Sequence, residues 1–594
     1  MAEQVKRSEI DAKYKWNLND IVNGDDAWEA LFEEVKGEIH ACDGFKGKLA
    51  DEKELLACMN AEAEVSKKIE RLFAYARMKR DEDGNDPKYQ AMTARAYSLI
   101  IEFSTLTTFI VPELTQASAE TLYAISEKPE FACYKYSIAE MARSKERVLS
   151  EKEETLLSGV RNFSGDFDTI FSMFDDVDIR FGKVKDENGE ETELTQGRYG
   201  LFLQNPNQEV RKGAFEAMFN AYKNMINTVA AIYGGAVKKD VFFSKIRGYE
   251  SALQSALDHE NIDEKVYNNL IEAVHDALPA MHEYINFRKE TMGLEELHMY
   301  DLHVPIVKGA EIAVEYEEAC KMVKEALVPL GEDYADLLDQ AYNNGWIDVH
   351  ENAGKRTGAY SWGAYGSHPY VLLNYQKTTH NIFTLAHELG HAMHSYYSNE
   401  NQPYPANSYV IFLAEIASTC NEVLMLKHLL KNCTDKSVKK FLLSYYLDMF
   451  RTTVFRQTQF AEFEKVSHGL AENGQPLTHE ALSNAYYEIN KQYYGEGVIH
   501  DDLIKYEWAR IPHFYRAFYV YKYATGLISA VAIANRILTE GEPAVRDYKK
   551  FLSAGGSTSP LEILSYAGVD LTEKSAFEVA LKEFKDTLDE LKKL

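Results

Sequence analysis

Through residues 1–175, apolar side chains recur at intervals of three and four, the spacing that buries one face of a helix. DDAWEALFEEVKGEIHAC and DEKELLACMNAEAEVSKKIERLFAYARMKR carry the pattern most plainly, and DEDGNDP at 81–87 supplies a turn between two long helices. The period then changes. DVDIRFGKVKDENGEETEL alternates, with Asn188-Gly189 at its turn, which predicts a β-hairpin. Helical spacing resumes in PNQEVRKGAFEAMFNAYKNMINTVAAIYGGAVKKDVFFSKI. The hairpin suggests a boundary, so the expected division is an N-terminal helical domain over 1–195 and a second domain over 196–594. No fixed-period repeat and no low-complexity linker interrupts either part. The predicted fold is mainly α.

The stretch from 355 to 376 departs from this pattern. Gly358, Gly363 and Gly366 lie among Tyr360, Trp362 and Tyr365, and HPYVLLNYQ then reads as a short strand. A glycine-aromatic loop beside an edge strand suits an extended peptide, which can add to the edge through main-chain hydrogen bonds. The alternative is a buried strand after a structural turn.

Helical spacing returns in TTHNIFTLAHELGHAMHSYY, where Ile382, Leu385, Leu389, Met393 and Tyr396 form one apolar stripe and Thr378 or Thr379 supplies the cap. His387 and His391 then lie one turn apart on another face, close enough to grip one zinc ion. Glu388 sits just off that face, within reach of a water at the metal. His394 shares the histidine stripe, but Cα atoms seven positions apart on a helix are about 10.5 Å apart, too far for one ion. The metzincin pattern needs Gly at 394 and His at 397, and this chain has His394 and Tyr397. The third ligand should therefore come from another element. Glu415, in NSYVIFLAEIASTCNEVL, is the candidate. Ser408 is expected to cap that helix after the PYP break at 403–405. Ser418, Thr419 and Glu422 share the face of Glu415, and Glu422 reads equally as a partner of the ligands or as a solvated acid.

Composition narrows the setting. Hydrophobic content of 45% and charged content of 27% are ordinary for a globular protein, and 594 residues call for two or more lobes. A net charge of −28 argues against nucleic-acid binding. The N-terminus has no apolar signal core, and TGLISAVAIANRIL, interrupted by Asn535, is too short to span a membrane. Six scattered cysteines without CxxC spacing read as reduced thiols. A cytoplasmic monomer or small homo-oligomer without membrane partners is expected. Near the C-terminus, PHFYRAFYVYKYATG at 512–526 crowds one histidine and four tyrosines together. Aromatics at helical spacing usually pack in a core, but His513 follows Pro512 at an expected helix start, where it could project into a cleft.

HELGHAMHS followed by AEIAST resembles the thimet-oligopeptidase family of zinc peptidases, and in particular its oligoendopeptidase F branch. The resemblance extends to GAYSWGAYGSHPYVLLNY and to IPHFYRAFYVYKYATG. It implies a two-lobed, zincin-like helical metallopeptidase with a deep central channel and a small β element beside the active site. It implies one Zn2+ per chain on His387, His391 and Glu415, with Glu388 as the general base. The family's substrate-binding histidine and tyrosines match best at His513, Tyr519 and Tyr523, with Tyr515 and Tyr521 as alternatives. The implied activity is internal cleavage of short unfolded oligopeptides. Two other readings stand beside it. A zinc exopeptidase would need a cationic clamp for a terminal carboxylate. A peptide-binding protein without catalysis would not need Glu388.

Overall fold

Asp51 accepts the amides of Lys53 and Glu54 and starts a helix over Glu52–Glu82. Asp86 caps the next helix, Pro87–Leu106, with Pro87 in the first turn, where no intrahelical donor is required. The DEDGNDP segment is the turn between them, and the two helices pack along each other. Leu55, Leu72, Met78, Ala96 and Leu99 join Trp28 and Phe32 in the core beneath.

The computed structural model describes residues 5–307 and 309–594, which are mostly helical. They form two compact units, each discontinuous in sequence. The first comprises Met1–Glu146, Ile312–Leu429 and Ile533–Val569, and the second Arg147–Glu311, Leu430–Ala532 and Asp570–Leu594. The division expected from the hairpin, 1–195 and 196–594, is a different partition, one of consecutive segments. No single helix among the described residues is long and apolar enough to cross a membrane. TGLISAVAIANRIL lies in the helix Tyr521–Glu540, where Leu527, Ile528 and Val531 are buried.

The hairpin forms within the second unit. β1 (Lys183–Lys185) pairs antiparallel with β2 (Glu191–Glu193), Lys183 opposite Glu193. Gly189 takes φ 80° at the turn, and Asp186 accepts the amides of Asn188 and Glu190. The first unit holds β3 (Ile347–Asp348), β4 (Tyr360–Trp362) and β5 (Tyr370–Leu372) in the order β3-β5-β4. HPYVLLNYQ therefore supplies the middle strand, parallel to β3 and antiparallel to β4. This corrects the expectation of an edge there. Tyr370, Val371 and Leu372 are all buried, as an unbroken apolar run covered on both faces should be. The edge is β4, drawn from the glycine-aromatic loop itself.

Candidate metal centre

Thr378 Oγ1 accepts the amide of Asn381 at 3.2 Å and caps the helix Thr379–Asn401. Ile382, Leu385, Leu389 and Met393 are buried along its expected stripe, and Tyr396 is half-buried. On another face, the Nε2 atoms of His387 and His391 stand 3.2 Å apart. A second helix, Ile411–Asn432, brings Glu415 to them. Its Oε2 lies 3.4 Å from His387 Nε2 and 3.5 Å from His391 Nε2. One donor atom from each of the three residues falls within 4.8 Å of the others.

The approach of these helices depends on Gly390, between the two histidines. A β-carbon there would come 2.5 Å from the Ser418 Cα, so only glycine allows the second helix this close. Asn421 ties the pair, donating to the Ala386 carbonyl at 3.1 Å and accepting from Tyr334 at 3.1 Å. Neither Gly390 nor Asn421 carries a sequence signal beyond its place beside the ligands. The entry to the second helix differs from expectation. The helix starts at Ile411, and the Ser408 hydroxyl donates to Asn407 Oδ1 at 3.3 Å instead of capping it. The backbone holds this segment: the Gly556 amide donates to the Ala406 carbonyl at 2.8 Å. Gly555, at φ 53°, lies where a β-carbon would sit 2.4 Å from that same carbonyl.

Hydrogen bonds orient the donors. His387 Nδ1 donates to Glu422 Oε1 at 2.5 Å, which turns Nε2 toward Glu415, so Glu422 is paired with His387 and is not a solvated acid. The Ser418 hydroxyl donates to Glu415 Oε2 at 3.2 Å. Burial works against the Glu415 carboxylate, but His387 and His391 overcome it and hold its pKa well below the usual range. Burial likewise opposes a charged His387, yet Glu415 and Glu422 raise it to about 10. Two carboxylates thus make this point a trap for positive charge, for which a proton and a divalent cation compete. Glu388 is buried, which raises its pKa, and its Oε2 has no hydrogen-bond partner among the described residues. Two imidazole nitrogens, one carboxylate oxygen and the partnerless Glu388 Oε2 next in the chain fit a divalent metal with an open position. His394 stands outside the set. It is fully buried, and its ring stacks on Tyr409 at 3.7 Å.

His513, Tyr519 and Tyr523 lie in the second unit. His513 sits in a short 3₁₀ turn, Pro512–Tyr515, and the long helix begins only at Tyr521, so the expected helix start comes later than Pro512. The three rings gather. His513 is 6.0 Å from Tyr519 and 5.9 Å from Tyr523, and the two tyrosines are 5.5 Å apart. Tyr523 Oη and His513 Nε2 stand 3.3 Å apart. All three are half-exposed. The alternatives are buried: Tyr515 stacks on Phe171 at 4.3 Å and Tyr521 packs against Tyr267 at 5.1 Å.

Two helices that aim His, His and Glu at one point, with a buried acid between the histidines, define a helical metallopeptidase. Residues 201–583 match the model of peptidase family M3, and residues 113–181 match that of oligopeptidase F. The chain belongs to peptidase family M3. It is 44% identical to oligopeptidase PepF of Bacillus subtilis, over 100% of this chain and 90% of that protein. It is 40% identical to group B oligopeptidase PepB of Streptococcus agalactiae, over 99% of this chain and 98% of that protein. A putative peptidase from Chlamydophila abortus superposes with a TM-score of 0.94 at 34% identity, covering 100% of both chains. Oligoendopeptidase-F from Enterococcus faecium gives 0.73 at 34% identity, over 95% of this chain and 98% of that one. The chain is a metallo-endopeptidase.

Proposed function

We propose that the protein hydrolyses internal bonds of short, unfolded oligopeptides with one zinc ion held by His387, His391 and Glu415. The observation that carries this reading is the convergence of those three donors, with the partnerless oxygen of Glu388 next in the chain. Two imidazoles and a carboxylate are a catalytic zinc set. When bound, zinc polarises the scissile carbonyl and lowers the pKa of water there. Glu388 takes a proton from the attacking water and delivers it to the leaving amine. Its raised pKa suits both duties. His513, Tyr519 and Tyr523 donate hydrogen bonds to the oxyanion that develops on the carbonyl. The free edge of β4 aligns the substrate main chain, with little dependence on its sequence. The oligopeptidase names of the relatives from B. subtilis and S. agalactiae support a substrate of this size. A cytoplasmic location, as a monomer or small homo-oligomer without nucleic-acid or membrane partners, suits the six free cysteines and the net charge of −28.

Mass spectrometry of a mixed library of end-blocked and free peptides tests the reading. Zinc-loaded protein should cut blocked peptides internally, chelation should stop it, and compact native proteins should survive. Removal of terminal residues alone would make it an exopeptidase. Stoichiometric zinc without turnover would make it a peptide-binding protein.

A further inference from the structure

Within the second unit lies a cavity of about 340 Å³ whose charge runs against that of the chain. The sequence holds 93 acidic against 65 basic residues, yet the cavity wall carries Arg451, Arg456 and Arg510 against the single carboxylate of Glu507. The charges around it do not cancel the excess. Arg456 donates to Glu507 at 2.6 Å, and Tyr486 donates to the other oxygen of the same carboxylate. Asp448 accepts from Arg451 at 2.8 Å but also answers the fully buried Arg288, at 3.2 Å. Asp175, which accepts from Tyr222 at 2.6 Å and Gln196 at 2.8 Å, adds a third carboxylate, so the four guanidiniums of Arg288, Arg451, Arg456 and Arg510 stand against three.

Arg510 meets the Tyr222 hydroxyl and, at longer range, the charges of Glu507 and Asp175, whereas Arg451 and Arg456 each hold a carboxylate directly. Arg510 lies over the Tyr199 ring at 5.1 Å, and its Nε is buried with no hydrogen-bond partner among the described residues. That atom is shielded from the cavity, but Arg510 lines the wall and is half-exposed, so the rest of its guanidinium is what an anion there would meet. The remaining wall includes Leu203, Phe215 and Phe219, so it also accommodates the apolar body of a ligand. Arg451 opens a π-helical turn, Arg451–Phe455, a deviation frequent at functional sites. His303 also lines the wall.

We propose that this cavity is a carboxylate-binding site, the carboxylate being that of a peptide C-terminus or of a small free acid. Arg510 is its principal donor, and Arg451 and Arg456 supply the field. The peptide source rests on the oligopeptidase reading above. It is encouraged by continuity, because Asp502–Arg510 leads through Ile511 and Pro512 straight to His513. Planar guanidinium forks match a carboxylate with two parallel hydrogen bonds.

The experiment compares an octapeptide ending in a free carboxylate with the same peptide ending in a carboxamide. Equilibrium binding to the full-length chelated protein, read by fluorescence anisotropy, needs no turnover. The acid should bind about tenfold more tightly than the amide, as expected for a charge-assisted hydrogen bond. Arg510→Gln should shrink that preference to within about twofold while amide binding stays unchanged, which also reports an intact fold. Gly200→Leu is the second variant. Gly200 lines the cavity, and a β-carbon there would meet nothing within 4 Å, so the new side chain fills the space and leaves the arginines in place. Calorimetry with benzoate is the other arm. An acid preference lost in both variants assigns the site to peptide C-termini. Equal peptide binding, with benzoate binding lost in both variants, assigns it to small acids. Equal peptide binding and no benzoate binding, or a preference that survives both variants, overturns the site. Failure of the peptidase reading shows separately, as zinc-loaded protein that binds peptides without cutting them.

Discussion

Glu464, with no exposed surface, accepts the backbone amide of Phe518 at 2.8 Å. Phe518 has φ 58°, in the left-handed region that costs a residue with a β-carbon about 1–2 kcal/mol. The ring of His468 packs against Phe518 at 4.5 Å. This strained residue immediately precedes Tyr519, so the carboxyl of Glu464 fixes the backbone from which that tyrosine projects. Burial pushes the Glu464 pKa well above the carboxylate range, and its Oε2 has no hydrogen-bond partner among the described residues. Burial thus favours its protonated form.

Glu464→Gln should therefore keep the acceptor and raise stability at neutral pH. A carboxyl whose folded pKa is raised keeps a proton that the unfolded chain releases above about pH 4.5. Wild-type stability carries that loss as pH rises, at up to about 1.4 kcal/mol per unit, and the variant does not. Urea unfolding at pH 5 and pH 8 reads the difference, and equal slopes would refute it. Glu464→Leu removes the acceptor and should lower kcat/KM about tenfold or more, with metal content unchanged.

The ligand set makes separable forecasts. Glu388→Gln should retain zinc and lose nearly all turnover. Glu415→Gln should weaken zinc itself. Glu422→Gln should cost roughly 10–100-fold in zinc affinity, since His387 Nδ1 loses its anionic acceptor. Metal analysis after dialysis distinguishes the three. Normal zinc content and activity in Glu415→Gln would place the third ligand elsewhere.

For the aromatic cluster, His513→Ala, Tyr519→Phe and Tyr523→Phe should each lower kcat by about 10²–10³ with little change in KM. Tyr515→Phe and Tyr521→Phe, in the core, should leave turnover near normal. Steady-state kinetics decide, and normal turnover in His513→Ala would remove the cluster from the mechanism.

His394 predicts behaviour in acid. Burial, then His391, lower its pKa to about 3. Between about pH 6.5 and 3 the unfolded chain takes a proton that the folded chain refuses, so stability is full above that window and falls as pH drops through it. His394→Phe should flatten this limb by up to about 1.4 kcal/mol per pH unit and retain both zinc and turnover. Loss of zinc in that variant would contradict its place outside the ligand set.

The histidine helix was legible because one period fixes both the buried stripe and the face that carries His387 and His391. The reach of a single ion demanded a donor from another element, and Glu415 was the candidate that the structure brings beside the histidines. Glu422 stayed ambiguous, since helical position alone does not reveal which ring nitrogen it meets. The sheet order was misread, although PYVLL gave a signal: an apolar run without alternation belongs in the middle of a sheet. Glu464 also left a trace, as an acid at a core position among Phe460, Phe463 and His468. Length and resemblance called for two lobes, but the interleaved boundaries of the two units left no trace, because local periodicity does not encode which distant segments meet.

That interleaving sets a timetable for synthesis. The histidine helix leaves the ribosome well before Gly555 and Gly556, which hold the segment leading to Glu415. From His391 to Val569, where the first unit ends, 178 residues (569 − 391) remain to be translated. At roughly 5–20 residues per second this takes about 10–40 s. Throughout that interval the nascent chain carries both histidines without the finished unit around them, and a chain stopped before residue 555 never acquires it.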